Sequence, residues 1–286
     1  MNDRITITDL LEAKRQRRAI AAVSCYDYTT ASLVSQAQVD LVLVGDSAAQ
    51  MMLGFDSTLP VTMDFMVTIT AAVRRAAPNT YLVADMPFLS YHISLGQAIR
   101  NAGRFMTEAG AQMVKIEATG AYLNTVRAIS DAGIPVMAHI GILPQRIGEM
   151  GRFHAEATTA EAGVALIDLA EQMIAAGASA LLIEGTAAEV AQIITTKSDV
   201  PVLSCGSGPG CDGQILIAPD ILGLSGGHPP KFAKAFGDLR ARTVEAFQKY
   251  ADEVKAGRFP DSEHSYHMKP GELQRLEDLL RKPRPS

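Results

Sequence analysis

The chain has 286 residues, of which 48% are hydrophobic and 20% charged, a balance typical of a globular protein with ample material for a core. Its net charge of −5 argues against a nucleic-acid partner, because proteins that bind phosphate backbones concentrate Lys and Arg. No run approaches the ~18 consecutive apolar residues that a membrane span needs, and no signal peptide is visible. Cys25, Cys205 and Cys211 form no CxxC pair, which predicts reduced thiols in a cytoplasmic protein.

The elements in chain order begin with an N-terminal helix, whose solvated last turn we place at the basic cluster Lys14–Arg18. Eight short apolar segments, rich in β-branched residues, then predict strands. These are Ile20–Cys25, Leu41–Val44, Tyr81–Ala84, Met113–Ile116, Pro135–Ala138, Ala180–Ile183, Pro201–Ser204 and Ile221–Leu224.

Segments with helical periodicity separate these strands. We predict helices over Met63–Ala77, Leu95–Ala109, Ala121–Ala132, Ala160–Ala176 and Ala187–Thr196. Beyond the eighth strand, Lys231–Lys255 predicts one long helix or two shorter ones, and Gly271–Arg281 predicts another short helix. Glycines in Ala109–Ala111, Ala132–Ile134 and Ala176–Ala178 are typical of left-handed helix ends.

Continuous apolar strands that alternate with amphipathic helices indicate a parallel sheet buried on both faces. Eight such units predict an α/β fold of the (β/α)8 TIM barrel type. A doubly wound open sheet is the alternative, although no GxGxxG motif follows the first strand. We expect a single domain over residues 1–286, with the barrel at about 20–228 and C-terminal helices within 229–286.

Polar residues follow most of the predicted strands, and in a barrel the carboxyl ends of all strands converge on one mouth. They are Asp27, Asp46, Ser47, Asp85, Lys115, Glu117, His139, Glu184 and Ser207. Several carboxylates with a single lysine would repel one another unless a cation bound among them. A hard divalent cation with oxygen ligands resolves that cost, and Mg²⁺ needs only one or two carboxylates besides water and substrate oxygens.

Each of these residues also has a purely structural interpretation. Asp27 is better explained as the N-cap of the following helix, and a cap is an alternative for Asp46 and Asp85 as well. The matching positions of those two aspartates, after adjacent strands, favour a shared ion. Lys115 and Glu117 lie two apart on one strand, so they share a face and form an ion pair if they are only structural.

His139 alone is more typical of a hydrogen-bonded core histidine than of a catalyst. Glu184 follows an apolar strand and is a plausible general base, because partial burial raises the pKa of a carboxyl group. The loop Gly206–Gly210 lacks an adjacent Lys or Arg, so we predict a tight turn there and no phosphate cradle.

Ten short blocks occur in a fixed order between about Ser24 and His267. They are Tyr26–Tyr28, Leu43–Ser47, Gly54–Thr62, Ala71–Asn79, Ala84–Phe88, Met113–Glu117, His139–Gln145, Asp212–Leu216, Gly226–Phe236 and Glu263–His267. Together they resemble the ketopantoate hydroxymethyltransferase (3-methyl-2-oxobutanoate hydroxymethyltransferase) family, whose members catalyse the folate-dependent first step of pantothenate biosynthesis.

The resemblance implies one Mg²⁺ per subunit on Asp46 and Asp85, with Glu117 bound directly or through water. It implies that the 2-oxo acid binds at Asp46 and Asp85 by chelating their Mg²⁺, that Ser47 and Lys115 hold its carboxylate, and that His139 contacts it. Glu184 would then be the catalytic base. It also implies 5,10-methylenetetrahydrofolate as co-substrate and a homo-oligomer, by family pattern a decamer.

Two residues and two segments depart from the family pattern. Phe55 stands where a histidine is usual, and Pro230 adds a second proline to His-Pro-Pro-Lys. The segment Gly148–Thr159 lacks the usual glycine-rich, aromatic-basic pattern, and Ser204–Gly208 replaces a Gly-Ile-Gly-Ala-Gly type of strand end. Such changes fit a paralogue with a different 2-oxo acid as well as they fit ordinary divergence.

Two further hypotheses stay open. One is a folate-independent, Mg²⁺-dependent lyase or mutase of the phosphoenolpyruvate mutase/isocitrate lyase type, although no histidine follows Cys205 in the manner of that group's Lys-x-Cys-Gly-His loop. The other is a non-catalytic assembly partner that has kept the barrel.

Overall fold

Eight parallel strands close into a barrel in the computed structural model, which describes residues 4–152, 154–226 and 230–281. They are β1 (Ile20–Ser24), β2 (Leu41–Val44), β3 (Tyr81–Asp85), β4 (Met113–Glu117), β5 (Val136–Gly141), β6 (Ala180–Glu184), β7 (Val202–Cys205) and β8 (Gly213–Ile217). β8 pairs with β1, with Ala22 opposite Ile215, so the sheet has no free edge. The TIM-barrel prediction is confirmed, and the open sheet is excluded.

The helices predicted from periodicity at 63–77, 95–109, 121–132, 160–176, 187–196 and 271–281 are present, whereas the helix predicted over Lys231–Lys255 begins only at Leu239. The helices are α1 (Ile7–Arg15), α2 (Tyr28–Gln36), α3 (Ala48–Met51), α4 (Met63–Ala76), α5 (Leu95–Thr107), α6 (Leu123–Asp131), α7 (Ile147–Met150), α8 (Ala160–Ala175), α9 (Ala188–Lys197), α10 (Ala218–Ile221), α11 (Leu239–Lys255) and α12 (Glu272–Arg281). Short 3₁₀ turns occupy Gly120–Tyr122 and Pro144–Arg146. No helix within the described ranges is long and apolar enough to cross a membrane.

The chain divides into two units, Met1–Phe236 with the barrel and Gly237–Ser286 with α11 and α12. The expected single domain therefore stays a prediction. The expected boundary between residues 228 and 229 lies outside the described residues.

Local signals set the helix ends. Thr62, Ser94 and Thr159 each accept a backbone N–H bond as N-caps of α4, α5 and α8. Gly110 and Gly177 have φ of 68° and 102°, a left-handed conformation that lets the chain turn at once into the next strand.

The predicted eighth strand, Ile221–Leu224, is wrong. Ile221 ends the short helix α10, and the true strand is Gly213–Ile217. No helix separates β7 from β8 among the described residues, because Gly206 and Gly208, with φ of 75° and 83°, form the expected tight turn instead. The mixed composition of Gly-Gln-Ile-Leu-Ile hid this strand from a search for continuous apolar runs.

The expected solvation of Lys14 at the end of α1 is also wrong. Its ammonium group donates to Asp212 Oδ2 at 2.7 Å and to the Thr195 carbonyl at 3.0 Å. The same Asp212 oxygen accepts from Val202 N at 2.8 Å, so α1 is fastened beneath β7 and β8. Arg18, by contrast, pairs with Asp40 nearer the surface.

A substitution of Gly213 tests the closure of the barrel. A Cβ there would meet Leu203 Cδ2 at 2.6 Å and would lie closer still to the Ile20 carbonyl oxygen. We expect Gly213→Ala to lower the free energy of unfolding by about 2 kcal/mol or more, because the Ile20 backbone on β1 and the Leu203 side chain on β7 must both shift. Urea titration followed by circular dichroism measures this.

The matched control is Gly103→Ala in the middle of α5, where an added Cβ meets no atom within 4 Å. That variant should gain about 0.5–1 kcal/mol, because alanine is the better helix former. Equal stabilities for the two variants would contradict the described register of β8.

Candidate active site

Strand alternation carries the predicted polar residues to the inside of the barrel. Val83, Met113, Met137 and Leu182 pack together in the barrel interior. Side chains two residues further along a strand share the same face, so Asp85, Lys115, His139 and Glu184 also point inward, one layer nearer the mouth. The interior core thus ends in a polar layer at the carboxyl ends of the strands, where barrels carry their sites.

A cavity of about 470 Å³ opens above this layer. Six of the predicted site residues line it: Asp46, Ser47, Asp85, Lys115, His139 and Glu184. Glu117, two residues beyond Lys115, is buried just outside the cavity wall.

Asp85 and Lys115 form a buried ion pair. They lie opposite each other on β3 and β4, and Lys115 Nζ donates to Asp85 Oδ2 at 2.7 Å. Asp46 N donates to the same oxygen at 3.1 Å, which ties the turn after β2 to the pair. The other oxygen, Asp85 Oδ1, is buried and has no hydrogen-bond partner.

A glutamine that the sequence analysis did not assign a role joins the remaining carboxylates. Gln145 Nε2 donates to Asp46 Oδ2 at 2.9 Å, and Gln145 N donates to both carboxylate oxygens of Glu117 at 3.0 and 3.1 Å. The Tyr91 hydroxyl donates to Gln145 Oε1 at 2.9 Å. The 3₁₀ turn after β5 places this side chain, and only its presence within the block His139–Gln145 signalled it.

Ser47 lies on the opposite side of the Asp46 turn, 2.9 Å from the Tyr26 hydroxyl. The turn has space only for a glycine before Asp46, because a Cβ at Gly45 would lie 2.9 Å from Ser47 Oγ and 3.0 Å from Ser24 Oγ. The Val44–Ser47 turn is therefore shaped to present one carboxylate and one hydroxyl to the cavity.

His139 and Glu184 stand side by side at the cavity wall. His139 Nε2 lies 3.2 Å from Glu184 Oε2, and Nδ1 lies 3.9 Å from Glu117 Oε1, but neither contact has the geometry of a hydrogen bond. Burial, together with the charge of Lys115, lowers the His139 pKa. The imidazole is thus neutral beside a partly exposed carboxylate.

Burial dominates the electrostatics of the other groups. It raises the pKa of Asp85 to about 7 and that of Glu117 to about 9, against the opposing charge of Lys115. Burial disfavours the charged form of Lys115, but Asp85, Asp46 and Glu117 more than offset this and raise its pKa above the ordinary value. The site therefore holds more acidic groups than its single cation can neutralise.

These features fit a divalent cation. Asp46 and Asp85 offer two carboxylate ligands, and the buried Asp85 Oδ1 lacks a partner. Among the described residues, no three His, Cys, Asp or Glu side chains form a ready-made metal cluster. Two protein ligands suit Mg²⁺, which keeps several water or substrate oxygens.

Two other strand-end residues are structural. Asp27 caps α2 by accepting from Thr30 N at 2.8 Å, as expected. Ser207 is buried in the tight turn, where its hydroxyl donates to the Ile183 carbonyl and accepts from Thr186 N. Neither lines the cavity.

The positions that depart from the family pattern lie in different places. Phe55 is exposed and does not line the cavity, whereas Cys205 and Pro230 do. The segments Gly148–Thr159 and Gly226–Phe236 are described only in part, since Phe153 and residues 227–229 lie outside the described ranges.

A family model described as ketopantoate hydroxymethyltransferase matches residues 4–262 of the chain. A 3-methyl-2-oxobutanoate hydroxymethyltransferase from Hyperthermus butylicus is 45% identical over 278 residues, which cover 97% of this chain and 96% of the relative. A protein of the same name from Syntrophomonas wolfei is 42% identical over 273 residues, which cover 96% and 99% of the two chains.

Solved structures share the fold at much lower identity. A 2,3-dimethylmalate lyase of the PEP mutase/isocitrate lyase superfamily has a TM-score of 0.58 at 16% identity, covering 96% of each chain. A phosphonopyruvate hydrolase has a TM-score of 0.59 at 14% identity, again covering 96% of each chain. At such identity the likeness shows the fold alone.

The raised pKa of Glu117 predicts a pH dependence of stability in the absence of metal. Between its ordinary pKa of 4.5 and about 9, the folded protein holds a proton that the unfolded chain has released. The free energy of unfolding therefore falls as pH rises through this window. Glu117→Gln removes the ionisable group and should raise stability at pH 8 in EDTA by about 2 kcal/mol, while changing it little at pH 4.5.

Urea titrations at the two pH values measure the difference. Glu171→Gln, a substitution of an exposed glutamate that pairs with Lys197, is the control and should change stability by less than ~1 kcal/mol at either pH. A Glu117→Gln variant with the parent's full pH dependence would show that Glu117 ionises normally in the folded protein.

Proposed function

The chain belongs to the ketopantoate hydroxymethyltransferase family, and on that premise we propose that it transfers a hydroxymethyl group from 5,10-methylenetetrahydrofolate to 3-methyl-2-oxobutanoate. The product is 2-dehydropantoate (ketopantoate), and the reaction is the first step of pantothenate biosynthesis. As a family member the chain is a hydroxymethyltransferase. The observation that carries the finer assignment is the buried Asp85–Lys115 pair, with one free carboxylate oxygen, in the same cavity as Glu184.

The binding half of the site suits a 2-oxo acid. The ammonium of Lys115 and the hydroxyl of Ser47 both line the cavity and are complementary to a carboxylate. Asp46 and Asp85 would hold one Mg²⁺ per subunit, with Glu117 bound directly or through water, and the ion would polarise the substrate carbonyl as a Lewis acid. Lys115 offsets the negative charge that the substrate brings into a site already rich in carboxylates.

The catalytic half moves one proton. Polarisation of the ketone acidifies the C3–H bond, and Glu184 takes that proton as general base. His139, neutral and 3.2 Å from Glu184 Oε2, contacts the substrate beside the carboxyl group. The deprotonated C3 forms a bond to the one-carbon unit of the folate, and water supplies the hydroxyl group of the new hydroxymethyl group. Both C–N bonds of the methylene bridge break, and tetrahydrofolate leaves with the C3 proton and one proton of the water on its two nitrogens.

The size and lining of the cavity support a second substrate. About 470 Å³ is more than a five-carbon oxo acid fills, and pockets of this size accommodate drug-sized ligands. Met51, Ile142, Ile147 and Phe232 contribute apolar side chains to the cavity wall. Such a wall suits the ring system of a folate.

We also propose a homo-oligomer, by family pattern a decamer, in the cytoplasm. Apolar side chains on one helix of the C-terminal unit support assembly, since Leu273, Leu276, Leu279 and Leu280 of α12 are all exposed.

The product assay decides between the proposed reaction and its alternatives. Protein, Mg²⁺, 3-methyl-2-oxobutanoate and methylenetetrahydrofolate should give ketopantoate by mass spectrometry, and omission of folate should abolish it. Turnover without folate would indicate a lyase or mutase, and product only from another branched 2-oxo acid would indicate a paralogue with altered specificity.

The variant Asp85→Asn keeps the shape of the side chain and removes its charge. It should lose Mg²⁺-dependent binding of the oxo acid in calorimetry, because a buried metal ligand is gone. Binding as tight as the parent's would make the metal assignment wrong. If the parent itself binds no 2-oxo acid with Mg²⁺, the chain is a non-catalytic assembly partner.

A further inference from the structure

Gln145 is held rigidly at the metal-facing end of the barrel. Its amide oxygen accepts from the Tyr91 hydroxyl at 2.9 Å, and its amide nitrogen donates to the Met86 carbonyl at 3.0 Å and to Asp46 Oδ2 at 2.9 Å. Gln145 and Tyr91 are both almost fully buried. The two acceptors at the nitrogen and the donor at the oxygen fix which way the amide faces, so the side chain cannot turn its oxygen towards Asp46 without losing all three bonds.

One of these bonds occupies an oxygen of Asp46. Among the described residues, the Asp46 carboxylate accepts a single hydrogen bond, at Oδ2, and none at Oδ1. Asp85 has the same division, since Lys115 Nζ and Asp46 N both donate to Oδ2 while the buried Oδ1 has no partner. Each of the two aspartates thus has one oxygen bound by the protein and one oxygen free.

Divalent cations differ in how they use such a carboxylate. Mg²⁺ demands near-ideal octahedral geometry and takes one oxygen from each carboxylate, whereas Ca²⁺ takes six to eight ligands and often both oxygens of one carboxylate. A carboxylate with one oxygen already engaged by a fixed donor therefore suits the smaller ion.

We propose that Gln145 is a positioning residue that restricts Asp46 to a single ligand oxygen and thereby favours Mg²⁺ over Ca²⁺. Tyr91 supports this by fixing the amide of Gln145. The inference rests on the proposed metal site at Asp46 and Asp85, and it adds a source of ion selectivity to that site.

The test is calorimetric titration of the parent and of Gln145→Leu with MgCl₂ and, separately, with CaCl₂, without substrates. Leucine removes the donor and frees Asp46 Oδ2, while the backbone N–H that bonds Glu117 stays in place. The ratio of Ca²⁺ affinity to Mg²⁺ affinity should rise about tenfold or more, the usual scale for loss of a residue that orients a ligand. If Gln145 had a merely structural role, its loss would lower the affinities for Mg²⁺ and Ca²⁺ by a similar factor and leave their ratio unchanged.

Two further variants complete the design. Tyr91→Phe keeps the glutamine but removes the hydroxyl that orients its amide and that also bonds the Glu117 backbone. It should shift the ratio in the same direction by a smaller factor, and it decides the matter if Gln145→Leu does not fold. Gln50→Leu is the matched control, because Gln50 lines the same cavity but its side chain donates to the Asp56 carbonyl and not to Asp46. Its ratio should equal the parent's.

The outcomes separate the two claims. If the parent binds Mg²⁺ and neither Gln145→Leu nor Tyr91→Phe alters the ratio, the role of Gln145 is overturned while the proposed metal site stands. If the parent binds neither ion, the metal site and the inference that rests on it both fail.

Discussion

The site depends on one buried ion pair, Lys115 with Asp85, whose charged atoms lie 2.7 Å apart at the mouth of the barrel. The free-energy cost of removing both charges from water can exceed their mutual attraction, so the pair is a poor source of stability. The pair instead fixes the positions of the side chains around it. Adjacent strands with fixed register bring the two side chains face to face, and the pair then draws in Asp46 N. Loss of either partner would leave an uncompensated charge in the interior.

Charge imbalance follows from that pair. One ammonium group faces three carboxyl groups, and burial raises the pKa of Asp85 to about 7 and that of Glu117 to about 9. The folded chain therefore carries an electrostatic cost that the proposed cation would relieve, which would couple metal binding to stability. Gln145 and the tight turn at Gly45 hold Asp46 in place, so the carboxyl groups do not move apart to reduce their repulsion. A rigid acidic layer, with Glu184 next to a His139 whose pKa burial lowers, suits chemistry that begins with removal of a proton.

Much of the fold and of the site could be predicted from the sequence, because hydrophobic periodicity and the residue that follows a strand are local features of the chain. Seven of the eight predicted strands match, and six of the nine polar residues predicted at strand ends line the cavity. The features that the sequence did not predict depend on contacts between residues far apart in the chain. Gly213–Ile217 lacks a continuous apolar run and becomes a strand by pairing with β1, and Lys14 is drawn from solvent by Asp212 across the barrel floor. Gln145 lies in a 3₁₀ turn four residues beyond β5, where no periodicity marks a functional side chain.

We propose that the cavity activates the C3–H bond of a 2-oxo acid, with Glu184 as the base. Proton exchange tests it without the second substrate: 3-methyl-2-oxobutanoate is incubated in D₂O with protein and Mg²⁺, and loss of the C3–H signal is followed by NMR. The parent should catalyse exchange only with Mg²⁺ present. Glu184→Gln should catalyse it at least about 100-fold more slowly, the usual scale for loss of a general base. Exchange at the parental rate in Glu184→Gln, or none in the parent, would contradict the account.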